Sequence, residues 1–126
     1  MRSTGVAGTV VAALAVATAV ALVRTPRVAV EGPSMLPTLR PHDRLAVLPL
    51  PPVEGRLVVL RDPREPSRTI VKRVVAVAGG AVEVAGDNPD ASTDSRHFGP
   101  VPAGLVRGRP VYRYHPPATA GWLWRA

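Results

Sequence analysis

The sequence contains no cysteine, a single lysine and only five aromatic residues among its 126 residues. The absence of cysteine excludes a disulfide scaffold, a thiolate zinc site and a cysteine nucleophile. Fifteen prolines disfavour long helices and favour short strands joined by turns. A chain of this length holds one domain.

Acidic residues are also scarce: nine stand against sixteen basic ones, which gives a net charge of +7. Such a charge is typical of proteins that bind nucleic acid or an anionic membrane, although arginine richness can also reflect the coding composition of a genome. All the basic residues except Lys72 are arginines. Arginine does not lose its proton near neutral pH, whereas lysine can. Lys72 is therefore a candidate for a position that requires a neutral amine.

Residues 5–23 contain no charged side chain. As a helix they would extend about 28 Å, close to the thickness of the bilayer hydrocarbon. We expect a short tail over residues 1–4, a membrane anchor over 5–23 and a β-rich domain over 24–126. A cleaved signal peptide is an alternative, because Ala17-Thr18-Ala19 is an Ala-x-Ala triplet, and a buried helix is another. Charge counting does not determine the orientation of the segment.

The rest of the chain predicts short strands separated by turn residues, with no internal repeat. Gly79-Gly80 predicts a hairpin with a primed turn. Pro110 should kink the last strand or hold it at an edge. Trp122-Leu123-Trp124 is either core packing or an interfacial anchor. The predicted strands are Val28 to Val30, Arg44 to Leu48, Arg56 to Leu60, Thr69 to Ala78, Ala81 to Ala85 and Leu105 to Tyr114.

A serine follows the anchor in a stiff turn. Ser34 lies between Gly32-Pro33 and Met35-Leu36-Pro37. Glycine and proline fix such a backbone and leave the serine hydroxyl exposed. Taken alone, Ser34 is equally well an ordinary turn residue.

Lys72 lies in a predicted strand, on the same face as Ile70 and Val74. A lysine among aliphatic residues is either a charged gatekeeper on an edge strand or a desolvated amine. Burial lowers the pKa of a lysine, and each pKa unit corresponds to about 1.36 kcal/mol.

A polar segment after the hairpin contains Ser92, Asp94 and Arg96 at alternate positions. An extended chain would place all three on one side. Ser92 could then accept a hydrogen bond from a lysine amine, while Asp94 pairs with Arg96 or Arg73. The alternative is a solvated loop.

Other chemistries find no support in the motifs. His42, His97 and His115 lack metal-ligand spacing, and His97 is expected at the surface. The sequence has no Gly-x-Ser-x-Gly elbow, P-loop or dinucleotide fingerprint. We expect no metal and no cofactor.

Taken together, these segments resemble the type I signal peptidases, which are membrane-bound Ser/Lys proteases. Gly32 to Leu39 is similar to their nucleophile motif. Asp43 to Val47 is similar to the sequence motif that follows it in these enzymes. Val71 to Ala76 is similar to the general-base motif. Gly86-Asp87-Asn88 through Asp94 to Gly99 resembles the last motif.

The resemblance implies a small all-β catalytic domain on the extracytoplasmic side of the cytoplasmic membrane. It also implies Ser34 as nucleophile, Lys72 as general base and Ser92 as the hydroxyl that orients Lys72. Asp94 and Arg96 would form a structural ion pair, with Gly32, Pro33 and Met35 supporting Ser34. The substrate would be the leader or signal segment of a preprotein with small residues at the first and third positions before the cut.

The chain departs from the family at two points. Some members carry a serine hydroxyl at the position of Gly32, which helps to bind the oxyanion. Only thirteen residues separate Lys72 from Gly86, where larger members insert a second domain. The chain therefore resembles the compact mitochondrial inner-membrane peptidases, or the actinobacterial peptidases that mature nickel superoxide dismutase.

Three other interpretations remain open at this point. A Ser/Lys protease similar to the self-cleaving repressors would carry a DNA-binding domain where this chain has an apolar segment. A non-catalytic, membrane-tethered basic β-barrel would bind anionic lipid or nucleic acid with a steep salt dependence, although we expect no specific nucleic acid partner. A peptidase remnant without catalysis is the third.

Overall fold

The structure is a computed structural model that describes residues 8–16 and 26–126. Residues 8–16 are helical and their side chains are exposed. Within the described residues, no helix is both long and apolar enough to cross a membrane. The predicted anchor, residues 5–23, extends past this helix at both ends and lies in part outside the described residues.

The domain is mainly β, as the sequence predicts. Its strands pair only with antiparallel neighbours, in the order β1-β2-β7-β3-β4-β5-β6, and β8 pairs with β7. The strands of the described chain are β1 Arg27–Ala29, β2 Arg44–Leu48, β3 Leu57–Asp62, β4 Glu65–Ala78, β5 Ala81–Ala85, β6 Val101–Pro102, β7 Val106–His115 and β8 Gly121–Trp122. Between them lie an α-helical turn, Ser95–Phe98, and the 3-10 helices Pro89–Ala91, Ala103–Leu105 and Pro117–Thr119.

Strand β3 is buried on both faces and separates two apolar clusters. Leu57 and Val59 pack into one cluster, and Val58 and Leu60 pack into the other. Alternation along a strand sends successive side chains to opposite faces, so a continuous apolar run is what a doubly covered strand needs. The first cluster contains Val30, Met35, Leu39, Leu45, Val47, Leu57, Val59, Val71 and Leu123; the second contains Val58, Leu60, Val74, Val82, Val84 and Val101.

The β4–β5 hairpin brings Lys72 close to the segment that begins at Gly86. Gly79 and Gly80 have φ angles of 60° and 75°, the signs that a type I′ turn requires, so the predicted primed turn is confirmed. The thirteen residues between Lys72 and Gly86 complete this hairpin and leave no space for an inserted domain.

The end of the chain differs from the prediction. Strand β7 is internal, between β2 and β3, so the edge position, one of the two alternatives predicted from Pro110, is wrong. The other alternative, a kink, agrees with the register shift of β2 against β7 between Tyr112 and Pro110. Pro110 is tolerated because it falls where the second neighbour of β7 changes: β3 pairs up to Gly108, and β8 pairs from Tyr112 onward. Leu123 is buried in the core, whereas Trp122 and Trp124 are exposed and stack at 5.0 Å between ring centroids.

We expect Leu60→Ala to lower the free energy of unfolding by about 2–5 kcal/mol, because it opens a cavity in a fully buried position. Urea unfolding of the full chain measures the change. The control is Val53→Ala, whose side chain is exposed and which should change the free energy by less than about 0.5 kcal/mol. Equal effects of the two substitutions would contradict the described core.

Candidate active site

The turn that carries Ser34 is fixed to the core by its neighbours. Met35 and Leu39 are fully buried, and the Leu39 amide donates to the Met35 carbonyl at 2.9 Å. Ser34 itself remains partly exposed. Gly32 has a φ of +71°, a conformation that a serine would adopt only with strain. A serine at this position would therefore require a different backbone conformation of the turn or strain in this one.

Lys72 is buried in β4, opposite Val58 of β3, with 4% of its surface exposed. This burial excludes the exposed gatekeeper and leaves the desolvated amine. The Lys72 Nζ donates a hydrogen bond to Ser92 Oγ at 3.0 Å. Burial is the main cause that lowers the pKa of Lys72, and the Arg64 and Arg68 guanidiniums lower it further. The carboxylates of Asp94 and Asp62 act in the opposite direction and offset part of the decrease in this pKa.

The hydrogen-bond chain continues from Ser92 to a buried carboxylate. Ser92 Oγ donates to Asp94 Oδ2 at 2.8 Å, and Asp94 is fully buried. Burial alone would raise the pKa of Asp94, but hydrogen bonds from Arg96, Gly86 and Ser92 outweigh it and lower the pKa far below its usual range. The Ser92 hydroxyl donates its proton to the Asp94 carboxylate. The lone pairs of the Ser92 oxygen are therefore left to accept from the Lys72 amine.

Arg96 reaches Asp94 by a different backbone path from the one the sequence predicts. Arg96 belongs to the helical turn Ser95–Phe98, so the extended-chain premise is wrong at this residue. Asp94 caps that turn by accepting from the Arg96 amide, and the Arg96 Nε pairs with Asp94 Oδ1 at 2.9 Å. His97 Nδ1 accepts from the Asp94 amide, with its side chain 54% exposed.

Asp87 and Asn88 hold the polar loop, residues 86–94, against the Ser34 turn, residues 32–39. The sequence did not predict this role for them. The Asn88 amide donates to the Ser34 carbonyl at 2.9 Å, and the Asn88 side chain donates to the Pro33 carbonyl. Thr38 donates to Asp87 from the same turn. The signal that could have found them is the Gly86-Asp87-Asn88 motif itself.

Arg73 joins this loop to the sheet. Its guanidinium forms two hydrogen bonds of 2.8 Å with the Asp87 carboxylate and also donates to the Gly55 carbonyl. The hydrogen bonds from Arg73 are the largest cause that lowers the pKa of Asp87, and the hydrogen bond from the Thr38 hydroxyl lowers it further. Of the two arginine partners considered for Asp94, Arg73 is therefore the partner of Asp87, and Arg96 is the partner of Asp94.

Ser34 and Lys72 line one cavity of about 210 Å³. One wall of the cavity is the chain from Ala29 to Ser34, and the other is β4 from Arg68 to Lys72. Thr93 of the polar loop also lines the cavity. Within the described ranges, no group of three histidine or acidic side chains is arranged to hold a metal ion.

Gly86 lies directly against both Ser92 and the Ser34 carbonyl. A Cβ on Gly86 would lie 2.3 Å from Ser92 Oγ and 2.6 Å from the Ser34 carbonyl oxygen. We expect Gly86→Ala to lower the free energy of unfolding by about 1–3 kcal/mol, because backbone as well as side chain must move. Urea unfolding provides the measurement.

The matched control is Gly104→Ala, where an added Cβ meets nothing within 4 Å. This variant should change the free energy of unfolding by less than about 1 kcal/mol. If the two alanine variants were equally stable, the close approach of Gly86 to the Ser34 carbonyl and to Ser92 would be contradicted.

Comparison with known proteins places the chain in a family. Residues 2–88, a span that includes both Ser34 and Lys72, match the model of signal peptidase, peptidase S26. Mitochondrial ATP-independent inner membrane protease subunit 1b of Arabidopsis thaliana is 38% identical over 113 residues, covering 68% of this chain and 67% of the relative. Mitochondrial inner membrane protease subunit 1 of Xenopus tropicalis is 36% identical over 118 residues, covering 74% and 71%. The chain therefore belongs to the signal peptidase family, peptidase S26.

Proposed function

We propose that this protein is a membrane-bound serine endopeptidase that removes leader or signal segments from preproteins. The observation that carries the proposal is the buried amine of Lys72, which is held by Ser92 in the cavity that Ser34 also lines. Membership of the peptidase S26 family supports the same reaction class. The binding of anionic lipid or nucleic acid does not require a desolvated amine beside a serine.

Lys72 acts as the general base because its pKa is lowered. A protonated amine cannot accept a proton, and each unit of decrease in the pKa raises the neutral fraction about tenfold at neutral pH. Burial provides the largest part of that decrease. Ser92 orients the amine, since its own proton is donated to Asp94. Arg96 and the Gly86 amide keep Asp94 ionised and fixed.

The reaction proceeds through an acyl-enzyme in two steps. The Ser34 hydroxyl attacks the scissile carbonyl while Lys72 takes its proton. Lys72 then gives this proton to the leaving amine, the C–N bond breaks, and an ester to Ser34 remains. Water attacks that ester with Lys72 again as base, which releases the new carboxyl terminus and restores Ser34.

The backbone amide of Ser34 supplies the main hydrogen bond to the oxyanion, because Gly32 has no hydroxyl to offer. Loss of one donor of this kind costs about 2.7–4 kcal/mol in other serine proteases. The fixed turn offsets part of this loss, since Met35 and Leu39 hold the amide in place before substrate arrives.

The substrate binds as an added strand between the two walls of the cavity. Strand β5 pairs with β4 from Arg73 onward, whereas residues 69–72 of β4 pair with β3 on one side only. An extended peptide can pair with this open edge through main-chain hydrogen bonds. Small side chains at the first and third positions before the cut suit this narrow site.

We place the protein in the cytoplasmic membrane, with residues 5–23 as its anchor and the β domain on the extracytoplasmic side. The similar proteins of Arabidopsis thaliana and Xenopus tropicalis are named as inner membrane proteases, which supports a membrane location. The substrate is one dedicated preprotein, such as a nickel superoxide dismutase precursor. Comparison of protein N-termini in cells that express the wild type or Ser34→Ala identifies it.

We expect Ser34→Ala and Lys72→Arg each to lower kcat/KM for a fluorogenic leader peptide by more than about a thousandfold. Alanine removes the nucleophile, and arginine does not lose its proton at neutral pH. Assays with the full chain in lipid vesicles measure the change, and circular dichroism checks the fold.

Val53→Ala is the control, because Val53 is exposed and lies outside both the cavity and the open edge of β4. It should keep the activity of the wild type. Near-normal cleavage by Lys72→Arg would refute the neutral-amine mechanism, and unchanged N-termini in Ser34→Ala cells would refute the peptidase assignment.

A further inference from the structure

The cavity has a second, cationic part that the proposed mechanism does not use. Arg64 and Arg68 line it together with Ser34 and Lys72. Both arginines are about half exposed, at 47% and 46% of their side chains. They therefore face the space where a substrate enters and remain accessible to it.

Strand geometry sets the distance between the two parts. Ile70 and Lys72 occupy alternate positions of the regular part of β4 and share one face, and Arg68 directly precedes that part, where the register with β3 shifts between Asp62–Glu65 and Arg61–Thr69. Four residues of strand extend at most about 13 Å. An extended peptide that pairs with β4 has the same rise per residue. A substrate side chain opposite Arg68 is therefore about four residues from the scissile bond.

The structure already contains a carboxylate at this place. Glu31, on the opposite wall of the cavity, approaches the Arg68 Nε to 3.7 Å. Both side chains are exposed and the distance is longer than a hydrogen bond, so this ion pair is weak. A carboxylate from a bound peptide can replace Glu31 at Arg68 at little cost.

Arg64 is held in a fixed position beside the cavity. Its guanidinium donates two hydrogen bonds to the buried Asp62, at 3.1 and 2.8 Å, and lies 5.6 Å from the centre of the Phe98 ring. These contacts hold the guanidinium beside the start of β4, and the Asp62 carboxylate neutralises most of its charge. Burial is the main cause that lowers the pKa of Lys72, and the opposite effects of Arg64 and Asp62 on this pKa partly cancel. Arg68, whose ion pair is weak, is therefore the guanidinium available to an incoming carboxylate.

We propose that Arg68, with Arg64 beside it, selects leader segments that carry an acidic side chain about four residues from the scissile bond. This inference rests on the proposed peptidase function. Arg68 binds the substrate carboxylate in place of Glu31, while Arg64 stays paired with Asp62. The selection acts mainly through KM, because the contact lies far from the reacting atoms.

The test uses one fluorogenic decapeptide that the full chain cleaves, with Glu, Gln or Lys placed in turn at each position on both sides of the cut. We expect Glu to exceed Gln by about fivefold in kcat/KM at one position about four residues from the cut. Lys should be the poorest substrate there. This preference should weaken at high salt, where exposed charges are screened.

Charge reversal identifies the residue responsible. Arg68→Glu should invert the Glu-to-Lys ratio at that position, and a ratio within one variant is independent of any change in Lys72. Arg107→Glu is the matched control: Arg107 is exposed on β7 and does not line the cavity, so the ratio should stay as in the wild type.

The outcomes separate the two proposals. Cleavage with no Glu preference at any position, or a preference that Arg68→Glu leaves unchanged, overturns this inference and leaves the peptidase function standing. Peptide cleavage that is identical in the wild type and Ser34→Ala overturns the proposed function itself.

Discussion

The hydrogen bond from Lys72 to Ser92 is the interaction on which the rest of the site depends. An amine buried in an apolar strand loses its hydration, so its neutral form is favoured and its remaining polar contacts must be provided by the protein. Ser92 provides one such contact, and its orientation is fixed by a carboxylate that is itself buried and ionised. Asp94 can remain ionised only because Arg96 and the Gly86 amide donate to it. The buried base therefore requires a short network, in which each group provides a hydrogen bond that the previous group needs.

A second network fixes the distance between the two halves of the site. The Ser34 turn and the β4 strand are far apart in the sequence, and the polar loop contacts both of them. Asn88 donates to the Ser34 carbonyl, while Asp87 accepts from Thr38 and from Arg73. Glycine at position 86 lets the backbone pass between Ser34 and Ser92. Positioning by several charge-assisted hydrogen bonds suits a site whose reacting groups must be in place before the substrate binds.

The sequence predicted those features that depend on local pattern. The apolar alternation around Lys72, the Gly79-Gly80 turn and all six predicted strands follow from neighbours in the chain, and the strand bounds differ from the structure by four residues at most. Alternation predicts an extended chain at Arg96 because it takes no account of a capping side chain. In the structure Asp94 caps a helical turn that contains Arg96. The edge position expected for Pro110 failed because strand order is a tertiary property. The Asp87–Arg73 and Glu31–Arg68 pairs join distant segments, so no local pattern contains them.

The central claim is that the fold lowers the pKa of Lys72 and so raises its neutral fraction, and the composition makes this claim directly measurable. Lys72 is the only lysine in the chain, so labelling lysine with ¹³C at Cε gives a single side-chain NMR signal. A pH titration of that signal reports the pKa of Lys72, and the same titration in urea gives the value for the unfolded chain. The account predicts a midpoint below the ordinary lysine pKa of about 10.4 in the folded protein and at that value in urea. A folded-state midpoint at or above the ordinary pKa would contradict it.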